Sequence, residues 1–343
     1  MLRLFVLIFA LLAPWPALAQ TKPIPIKVVV LTTFEAGADT GDRPGEFQFW
    51  AERYPFTETI KVPGVERPVR LSKDGVLGMV TGMRGRPRES IAALILSGKF
   101  DFSKTYWLVA GIAGVDPRTG SIGSAAWANW VVDADPTFEI DDREIPKDWP
   151  WGVYSLGTPR PGLKGDAKGS SGMVWRLDPG LVQWAFQLTK DTPLPDDEHL
   201  KAARAKFAEE PVALKPPYVM IGDALGTTRF WHGDLRTQWA RDWVKVWTDG
   251  QGVLVMTDCE DQGIMDVLTL HGREGRVDAR RVLVLRTASN YSREPIGESQ
   301  AIAFTEGGAV AGFEAAYRVG SPVVKALVAN WSTFGNTLPK AGQ

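Results

Sequence analysis

The chain has 343 residues, of which 44% are hydrophobic, and a formal net charge of −1 at pH 7. This length and composition allow a large buried core, and the absence of a basic excess argues against nucleic acid or an anionic membrane as the main partner. The single cysteine, Cys259, excludes an intramolecular disulfide and a thiolate metal cluster. The three histidines have no spacing suited to a metal site, so we expect no bound metal.

Residues 1–19 predict a secretory signal peptide. One basic residue, Arg3, precedes an apolar run over residues 4–12, and two prolines then lead into a small-residue cleavage sequence that ends at Ala19. The alternative, a membrane anchor, is disfavoured because the apolar run is about half of the roughly 20 residues that span a bilayer. We therefore expect cleavage after Ala19, a periplasmic or secreted location, and one domain over residues 20–343.

Along the remaining chain, short apolar runs alternate with patterns of helical period, which is typical of α/β proteins with helices on both faces of a sheet. Strands are predicted, in chain order, at residues 26–32, 76–81, 106–110, 125–132, 218–221, 253–257 and 282–287. Helices are predicted at residues 88–96, 181–189, 197–209, 237–248, 260–270 and 323–330. Residues 35–68 and 136–172 depart from regular patterns; stretches of this length are usually functional, for example as a lid, or carry small elements of their own, and surface decoration is the alternative.

Candidate ligand-contacting residues follow the predicted strands, because open α/β sheets bind their ligands beyond the carboxyl ends of the strands. Thr33 follows the first strand, and Gly111-Ile112-Ala113-Gly114 follows the third. Glycine at a strand end lets the backbone approach a ligand closely and present N–H donors to it. Each segment taken alone also fits a tight turn, so the order of the segments is more informative than any one of them.

That order is Val80-Thr81-Gly82-Met83, then Gly111-Ile112-Ala113-Gly114, then a predicted strand near residues 121–124. It resembles the first half of the nucleoside phosphorylases. The second half contains Thr228-Arg229-Phe230-Trp231-His232-Gly233, Cys259-Glu260-Asp261-Gln262-Gly263-Ile264 and Arg286-Thr287-Ala288-Ser289-Asn290. These segments resemble, in turn, that superfamily's base-stacking segment, its ribose motif at a helix start, and its base-recognition strand end.

Four further segments place the resemblance within one branch of the superfamily. They are Val30-Leu31-Thr32-Thr33-Phe34-Glu35, Pro44-Gly45-Glu46-Phe47, Asp258-Cys259-Glu260-Asp261 and Ala288-Ser289-Asn290-Tyr291. Through them the chain resembles the purine nucleoside permeases, over roughly residues 26–335. The resemblance implies a three-layer α/β/α fold with a central mixed sheet, nucleoside phosphorylase-like, and a site for a purine nucleoside.

The resemblance also implies roles for individual residues. Glu260 would hold the ribose and Asn290 the base, as the catalytic pair, since a carboxylate can accept hydrogen bonds from both ribose hydroxyls and an amide can donate to the purine N7 and 6-oxygen. Further substrate-binding residues implied are Phe230, Trp231, Cys259, Asp261, Ser289, Thr33, Gly111, Ile112, Ala113 and Gly114.

Structural explanations for three of these residues stay open. Glu260 could stabilise a helix start through the helix dipole, Phe230 could pack in the core, and Asn290 could end a strand in a turn. Many members of the superfamily carry Asp at the position of Asn290, and a protonated Asp could donate a proton to the leaving purine, whereas Asn donates only a hydrogen bond.

Phosphate is the one co-substrate that the resemblance implies, and we expect no other cofactor. The candidate phosphate ligands are Arg43, Arg84 and the backbone amides of residues 111–114, because guanidinium groups suit phosphate. Alternatively, Arg84 belongs with Arg86 and Arg88 to a solvated helix start.

The implied function is binding of purine nucleosides and cleavage of their N-glycosidic bond, with phosphate or water as the nucleophile. The alternative is a non-catalytic soluble nucleoside-binding protein that supports nucleoside uptake. A membrane permease proper is disfavoured because no apolar run after residue 19 approaches a bilayer span. The sequence leaves a homo-oligomer open.

Overall fold

Most strands of the described residues belong to one large mixed β-sheet. The computed structural model describes residues 22–166, 172–302 and 308–342, so the predicted signal peptide lies outside the described residues. The strands are β1 (Ile24–Pro25), β2 (Val28–Thr32), β3 (Phe56–Ile60), β4 (Val69–Ser72), β5 (Val76–Val80), β6 (Phe100–Asp101), β7 (Tyr106–Val115), β8 (Ala125–Trp127), β9 (Trp130–Asp133), β10 (Thr137–Glu139), β11 (Val153–Ser155), β12 (Val174–Arg176), β13 (Val219–Ile221), β14 (Asp223–Gly226), β15 (Leu254–Asp258) and β16 (Val282–Tyr291). The helices are α1 (Gln48–Arg53), α2 (Arg86–Leu96), α3 (Pro179–Thr189), α4 (Glu198–Ala205), α5 (Asp234–Trp247), α6 (Asp261–Arg273), α7 (Ala309–Ala329) and α8 (Trp331–Phe334), with short 3-10 helices at Ala279–Arg281 and Gln300–Ile302.

The main sheet has 12 strands and is organised around β7. One edge of β7 pairs in parallel with β16 along nearly its whole length. The other edge pairs in parallel with β2 near its start and antiparallel with β15 near its end. From β2 the sheet continues through β5 and β4 to β3, and from β15 through β14 and β9 to β12, while β8 joins β16 to β13.

Helices cover this sheet in two groups. Helix α7 contacts β7 and β16 and also α1 and α3, whereas α6 contacts α2, β9 and β14. Every residue of β2 and of β5 is buried, as expected for strands with helices on both faces. The architecture is therefore α/β with three layers around a mixed sheet, and the predicted fold class is confirmed.

Each predicted helix is present, and so is each predicted strand except the one near residues 121–124, but β7 and β16 are longer than predicted. They continue to Val115 and Tyr291, past the predicted ends at residues 110 and 287. Residues 111–114 therefore lie within a strand, not in a glycine-rich loop. Small residues such as Gly111 and Ala113 have little intrinsic preference for strands, and pairing with β16, far away in the sequence, supplies the missing stabilisation.

Helix α7 starts at Ala309, well before the predicted start at residue 323, and contains Pro322 in its interior. Proline is typical of a break, but the small face of α7 packs closely on the sheet: a Cβ at Gly312 would come within 2.8 Å of Ile112. This packing outweighs the tendency of Pro322 to end the helix. Neither α7 nor any other helix within the described ranges is long and apolar enough to cross a membrane.

Two further predictions about local structure are wrong in detail. Residues 121–124 form a turn that leads into β8, not a strand, and residues 125–132 form two short strands instead of one. The two stretches without a regular pattern carry small elements, which was one of the expectations for them: residues 35–68 contain α1 and β3, and the described part of residues 136–172 contains the antiparallel pair β10 and β11. These short elements depend on pairing or packing with distant segments, which local patterns do not record.

Candidate functional site

A cavity of about 360 Å³ lies where five strands of the main sheet end. Its walls come from the residues that follow β2 and β5, from the second half of β7, and from the last residues of β15 and β16. The predicted site residues that line it are Thr33, Arg43, Arg84, Ile112, Ala113, Gly114, Phe230, Cys259, Glu260, Ser289 and Asn290. Segments that are far apart in the sequence therefore contribute to one site.

Three predicted site residues, Gly111, Trp231 and Asp261, do not line this cavity. Gly111 lies within β7, where a Cβ would come within 2.6 Å of Glu46 Oε1. Asp261 is fully buried and pairs with Arg286. Trp231 packs edge-to-face against another tryptophan, with ring centroids 5.9 Å apart, and lines only a smaller adjoining cavity.

Glu46 is the most prominent cavity residue that the sequence analysis did not select. It is 2% exposed, and its Oε2 accepts hydrogen bonds from the backbone N–H of Thr33 at 2.6 Å and from the Thr33 hydroxyl at 2.8 Å. Its Oε1 accepts from the N–H of Ile112 at 2.7 Å. The carboxylate thus connects the end of β2 to β7. Its signal was the segment Pro44-Gly45-Glu46-Phe47, on which the resemblance partly rests.

Glu35 holds the segment that presents Glu46. Its Oε2 accepts from the N–H groups of Phe47 at 2.8 Å and Gln48 at 2.6 Å, at the start of α1. Its Oε1 accepts from the N–H of Gly45. Burial raises the pKa of Glu35 and these backbone bonds oppose the rise. Because Phe47 provides no side-chain cap for α1, Glu35 satisfies N–H groups that would otherwise lack an acceptor.

The cavity lining includes six more residues without a predicted role. Phe34, Met83 and Asp258 each adjoin a predicted site residue in the sequence, so proximity in the sequence could have suggested them, whereas Thr257 adjoins none. Gly308 and Ala309 come from the start of α7, which the sequence analysis placed further along the chain. The six are Phe34, Met83, Thr257, Asp258, Gly308 and Ala309.

Behind the cavity wall, the buried guanidinium of Arg286 binds three carboxylates. Its side chain is 1% exposed, and it donates to Asp261 through Nε at 3.1 Å and through Nη2 at 2.6 Å. Nη2 also lies 3.3 Å from Glu260 Oε2 and 3.4 Å from Asp258 Oδ1. Nη1 donates to the carbonyl oxygen of Ile112 at 3.1 Å. Arg286 thereby joins the start of α6 to β7.

The cluster contains more acids than its one cation can neutralise. Burial raises the pKa of Glu260 to about 7, with the charge of Arg286 opposing and the charge of Glu46 adding to the rise. Burial and the charge of Asp261 raise the pKa of Asp258 well above its usual range. Burial also raises the pKa of Glu46, against the opposing charge of Arg286. The cluster therefore retains protons near neutral pH, and Glu260 titrates within the physiological range.

Asn290 and Ser289 form a second polar group in the cavity, near the end of β16. The Ser289 hydroxyl lies 2.9 Å from Asn290 Oδ1, to which it can donate, and Asn290 Nδ2 donates to the carbonyl oxygen of Tyr291 at 2.9 Å. These neighbours fix the orientation of the amide. A Cβ at Gly114 would come within 3.2 Å of Nδ2, so glycine at that position keeps the approach to the amide open.

Exposed residues surround the mouth of the cavity. Arg43 and Arg84 are exposed, and no ion pair joins either guanidinium to another residue of the described ranges. Phe230 is 55% exposed and offers an apolar ring face. Arg84 adopts φ +60°, a strained conformation for a residue with a side chain, and its N–H donates to Glu260 Oε1 at 3.1 Å. The strained turn therefore helps to hold Glu260.

The comparison with protein families gives one match over most of the chain. Residues 25–339 match the model of a family described as purine nucleoside permease. The chain is 29% identical over 266 residues to a probable purine nucleoside permease of Schizosaccharomyces pombe, which covers 74% of this chain and 76% of that protein. It is 27% identical over 294 residues to a purine nucleoside permease of Candida albicans, which covers 82% of this chain and 72% of that protein.

Among solved structures, the chain is similar to two bacterial 5′-methylthioadenosine/S-adenosylhomocysteine nucleosidases. The enzyme of Helicobacter pylori, in complex with butyl-thio-DADMe-Immucillin-A, gives a TM-score of 0.52 at 14% identity and covers 88% of this chain and 98% of that one. The enzyme of S. pneumoniae, with the transition-state inhibitor MT-ImmA, gives a TM-score of 0.52 at 14% identity and covers 89% of this chain and 99% of that one. The fold is thus nucleoside phosphorylase-like, as the resemblance predicted.

Proposed function

This chain belongs to the purine nucleoside permease family, and we propose from this that it binds a purine nucleoside in the cavity and cleaves the N-glycosidic bond with water. The observation that supports the proposal best is the presence of Glu46, Glu260 and Asn290 in one cavity. Glu260 offers an acceptor for the ribose hydroxyls, Asn290 a donor for the purine, and Glu46 a base for the nucleophile. A cavity of about 360 Å³ is within the range of small-molecule sites.

Glu260 is the ribose-binding residue in this proposal. Arg84 and Arg286 each occupy one of its carboxylate oxygens, at 3.1 and 3.3 Å. Each carboxylate oxygen has two lone-pair sites, so both keep one for a ligand. The vicinal ribose hydroxyls can donate to these two sites, and charge-assisted hydrogen bonds of this kind are strong.

Asn290 and Phe230 form the base site. The Asn290 Nδ2 proton that is not donated to Tyr291 is available to the purine N7, where negative charge accumulates as the glycosidic bond breaks. The exposed ring of Phe230 is suited to cover one face of the purine, which would remove apolar area of both from water.

Glu46 is the base for the nucleophile. Burial makes its carboxylate more basic, and its bonds to Thr33 and Ile112 hold it in place. As a water oxygen bonds to C1′, Glu46 accepts the proton of that water. The C1′–N9 bond breaks and its electron pair leaves with the purine, which takes a proton from solvent, while Glu46 returns its proton to solvent. One water is consumed, and ribose and the free base are released.

Water is favoured over phosphate because carboxylates surround this part of the cavity. Glu46, Asp258 and Glu260 all line it, and a phosphate dianion would be repelled by each of them that is ionised, including Glu46 in its role as base. The candidate phosphate ligands Arg43 and Arg84 stand at the exposed mouth instead. Phosphate bound by these two arginines is the alternative nucleophile.

The second candidate function is nucleoside binding without turnover, in support of uptake. One observation favours it: Asn290 stands where the leaving purine would be protonated, and an amide has no proton to transfer. With a signal peptide cleaved after Ala19, either function would be exercised in the periplasm or outside the cell.

The test is incubation of the purified protein with inosine, with and without phosphate. Chromatography measures hypoxanthine release and calorimetry measures binding. Release without phosphate supports the proposed hydrolysis, and release only with phosphate replaces water by phosphate as the nucleophile. Binding without release supports the uptake function. If inosine neither binds nor reacts, and guanosine and adenosine behave alike, the proposal is wrong.

Nucleoside affinity is expected to rise as the pH increases from about 6 to about 8. The pKa of Glu260 is raised to about 7, so its carboxylate, which accepts from the ribose hydroxyls, forms only above that pH. Calorimetry of inosine binding across this range, with a Glu260→Gln variant as control, measures the effect. If the inosine affinity of Glu260→Gln still rises with pH, the pH dependence arises from another group.

Replacing Asn290 by Asp is expected to shift the preference from inosine towards adenosine by about tenfold. The Asp side chain can accept from the 6-amino group and, when protonated, donate to N7. Its protonation is favoured because one oxygen would face the carbonyl oxygen of Tyr291. Binding of both nucleosides by both proteins, between about pH 5 and about pH 8, gives the ratio. An unchanged ratio would remove Asn290 from the base site.

A further inference from the structure

Thr257, near the end of β15, places its hydroxyl beside Asn290. A Cβ at Gly114 would lie 2.7 Å from Thr257 Oγ1 and 3.2 Å from Asn290 Nδ2. The strand pairings explain this arrangement, because Gly114 is opposite Thr257 in the β7–β15 pair and opposite Asn290 in the β7–β16 pair. Three strands thus bring a hydroxyl and an amide to the two sides of one glycine.

The Thr257 hydroxyl is available to a ligand. Thr257 is half-buried and lines the cavity, and its Oγ1 forms no hydrogen bond to any residue that the structure describes. Two buried threonines at the ends of other strands do form side-chain hydrogen bonds: Thr32, at the end of β2, donates to the carbonyl oxygen of Met79 at 3.2 Å, and Thr81, directly after β5, donates to that of Thr32 at 3.2 Å. A ligand that fills the cavity displaces water from Thr257 and must replace its hydrogen bond, or the complex is weakened.

A small cavity of about 30 Å³ adjoins the main one at this place. Thr257, Asn290 and Gly114 line both cavities, and so does Phe230. A space of this size holds one water or one exocyclic group, but not a ring. A planar base that lies against Phe230 with its edge towards Gly114 would therefore direct a single substituent into the small cavity.

On the basis of the proposed function, we propose that Thr257 Oγ1 hydrogen-bonds the exocyclic group at position 6 of the purine. With Asn290 at N7, only two groups flank that nitrogen on the purine rim. One is C8–H, which forms no strong hydrogen bond, and the other is the group at position 6. A hydroxyl both donates and accepts, so Thr257 can donate to a 6-oxo group and accept from a 6-amino group.

It follows that Thr257 and Asn290 have separate effects on specificity. Thr257 strengthens the binding of any purine with a polar group at position 6, whichever way its hydrogen bond points. Asn290 has a fixed orientation that presents the donor Nδ2 to N7 and close to position 6, so it favours an oxo group over an amino group there. Loss of the Thr257 hydroxyl should weaken inosine and adenosine binding together, without changing their ratio.

The experiment compares Thr257→Val, which retains the branched shape and removes the hydroxyl, with Thr257→Ser, which retains the hydroxyl. Calorimetry measures binding of inosine, adenosine and purine riboside, which has only hydrogen at position 6. Thr257→Val is expected to bind inosine and adenosine about five- to tenfold more weakly than the parent does, and to bind purine riboside like the parent. Thr257→Ser should bind all three like the parent. Thr59→Val, at an exposed position of β3, is the matched control and should change nothing.

Two results would overturn the assignment. In one, Thr257→Val binds inosine and adenosine as tightly as the parent. In the other, its affinity for purine riboside falls by the same factor as its affinity for inosine and adenosine, which would indicate a changed shape of the cavity instead of a lost hydrogen bond. If the parent binds none of the three nucleosides, the proposed function fails and the assignment fails with it. Because the measurement is binding, a protein that binds without turnover still tests Thr257.

Discussion

Replacing Glu260 by Gln is expected to weaken inosine binding about 30- to 900-fold, or about 2–4 kcal/mol, without destabilising the protein. The loss of affinity follows because a neutral amide cannot accept two charge-assisted hydrogen bonds from the ribose hydroxyls. The stability is kept because the raised pKa of Glu260 shows that the folded state already disfavours its charge. Gln has a similar shape and removes that charge.

Calorimetry and thermal unfolding of the same samples measure both quantities for Glu260→Gln. The control ligand is 2′,3′-dideoxyinosine, which lacks both hydroxyls: the parent should bind it as weakly as the variant binds inosine, and the variant should lose little more. If Glu260→Gln bound inosine as tightly as the parent, Glu260 would not be the ribose ligand. If Glu260→Ala behaved like the parent as well, the whole cavity assignment would be in doubt.

Replacing Arg286 by Met is expected to destabilise the protein by about 3–5 kcal/mol, which is the largest change in stability that we expect from a single residue of the site. Arg286 is almost completely buried, and its loss leaves Asp258, Glu260 and Asp261 without a cation in the interior. The free energy of unfolding from urea denaturation measures the effect. Arg280→Met is the matched control, because Arg280 pairs with Asp278 on the surface and its loss should change stability little.

The destabilisation of Arg286→Met is expected to grow as the pH rises. Arg286 lowers the pKa of Asp258 and Glu260, so its removal raises both further. A carboxyl whose pKa is higher in the folded than in the unfolded state stabilises the fold below its unfolded pKa and loses that contribution as the pH rises through its folded pKa. The parent's Glu260 loses this contribution itself between about 4.5 and about 7, so the variant falls further behind the parent only above about pH 7, where Glu260 is ionised in the parent and still protonated in the variant. Equal destabilisation at about pH 7 and at about pH 9 would contradict the role of Arg286 as counter-charge.

The sequence by itself determined the fold class and much of the candidate site. Continuous apolar runs such as Val28–Thr32 indicate strands covered on both faces, and the segments that carry the family resemblance pointed to Glu260 at a helix start and Asn290 near a strand end. These features depend on a few neighbouring residues, so a linear pattern contains them. The same holds for Thr33, Ile112 and the other predicted residues that the structure brings to the cavity.

Only the tertiary structure decided which neighbouring side chains face the ligand and which are charged. Glu260 and Asp261 are adjacent in the sequence, yet one lines the cavity and the other lies behind it with Arg286, because successive residues at the start of a helix point in different directions. Glu46 and Thr257 reach the cavity through contacts with β7, far away in the sequence. The raised pKa values depend on burial and on charges assembled from three separate segments, and no local pattern in the chain contains that information.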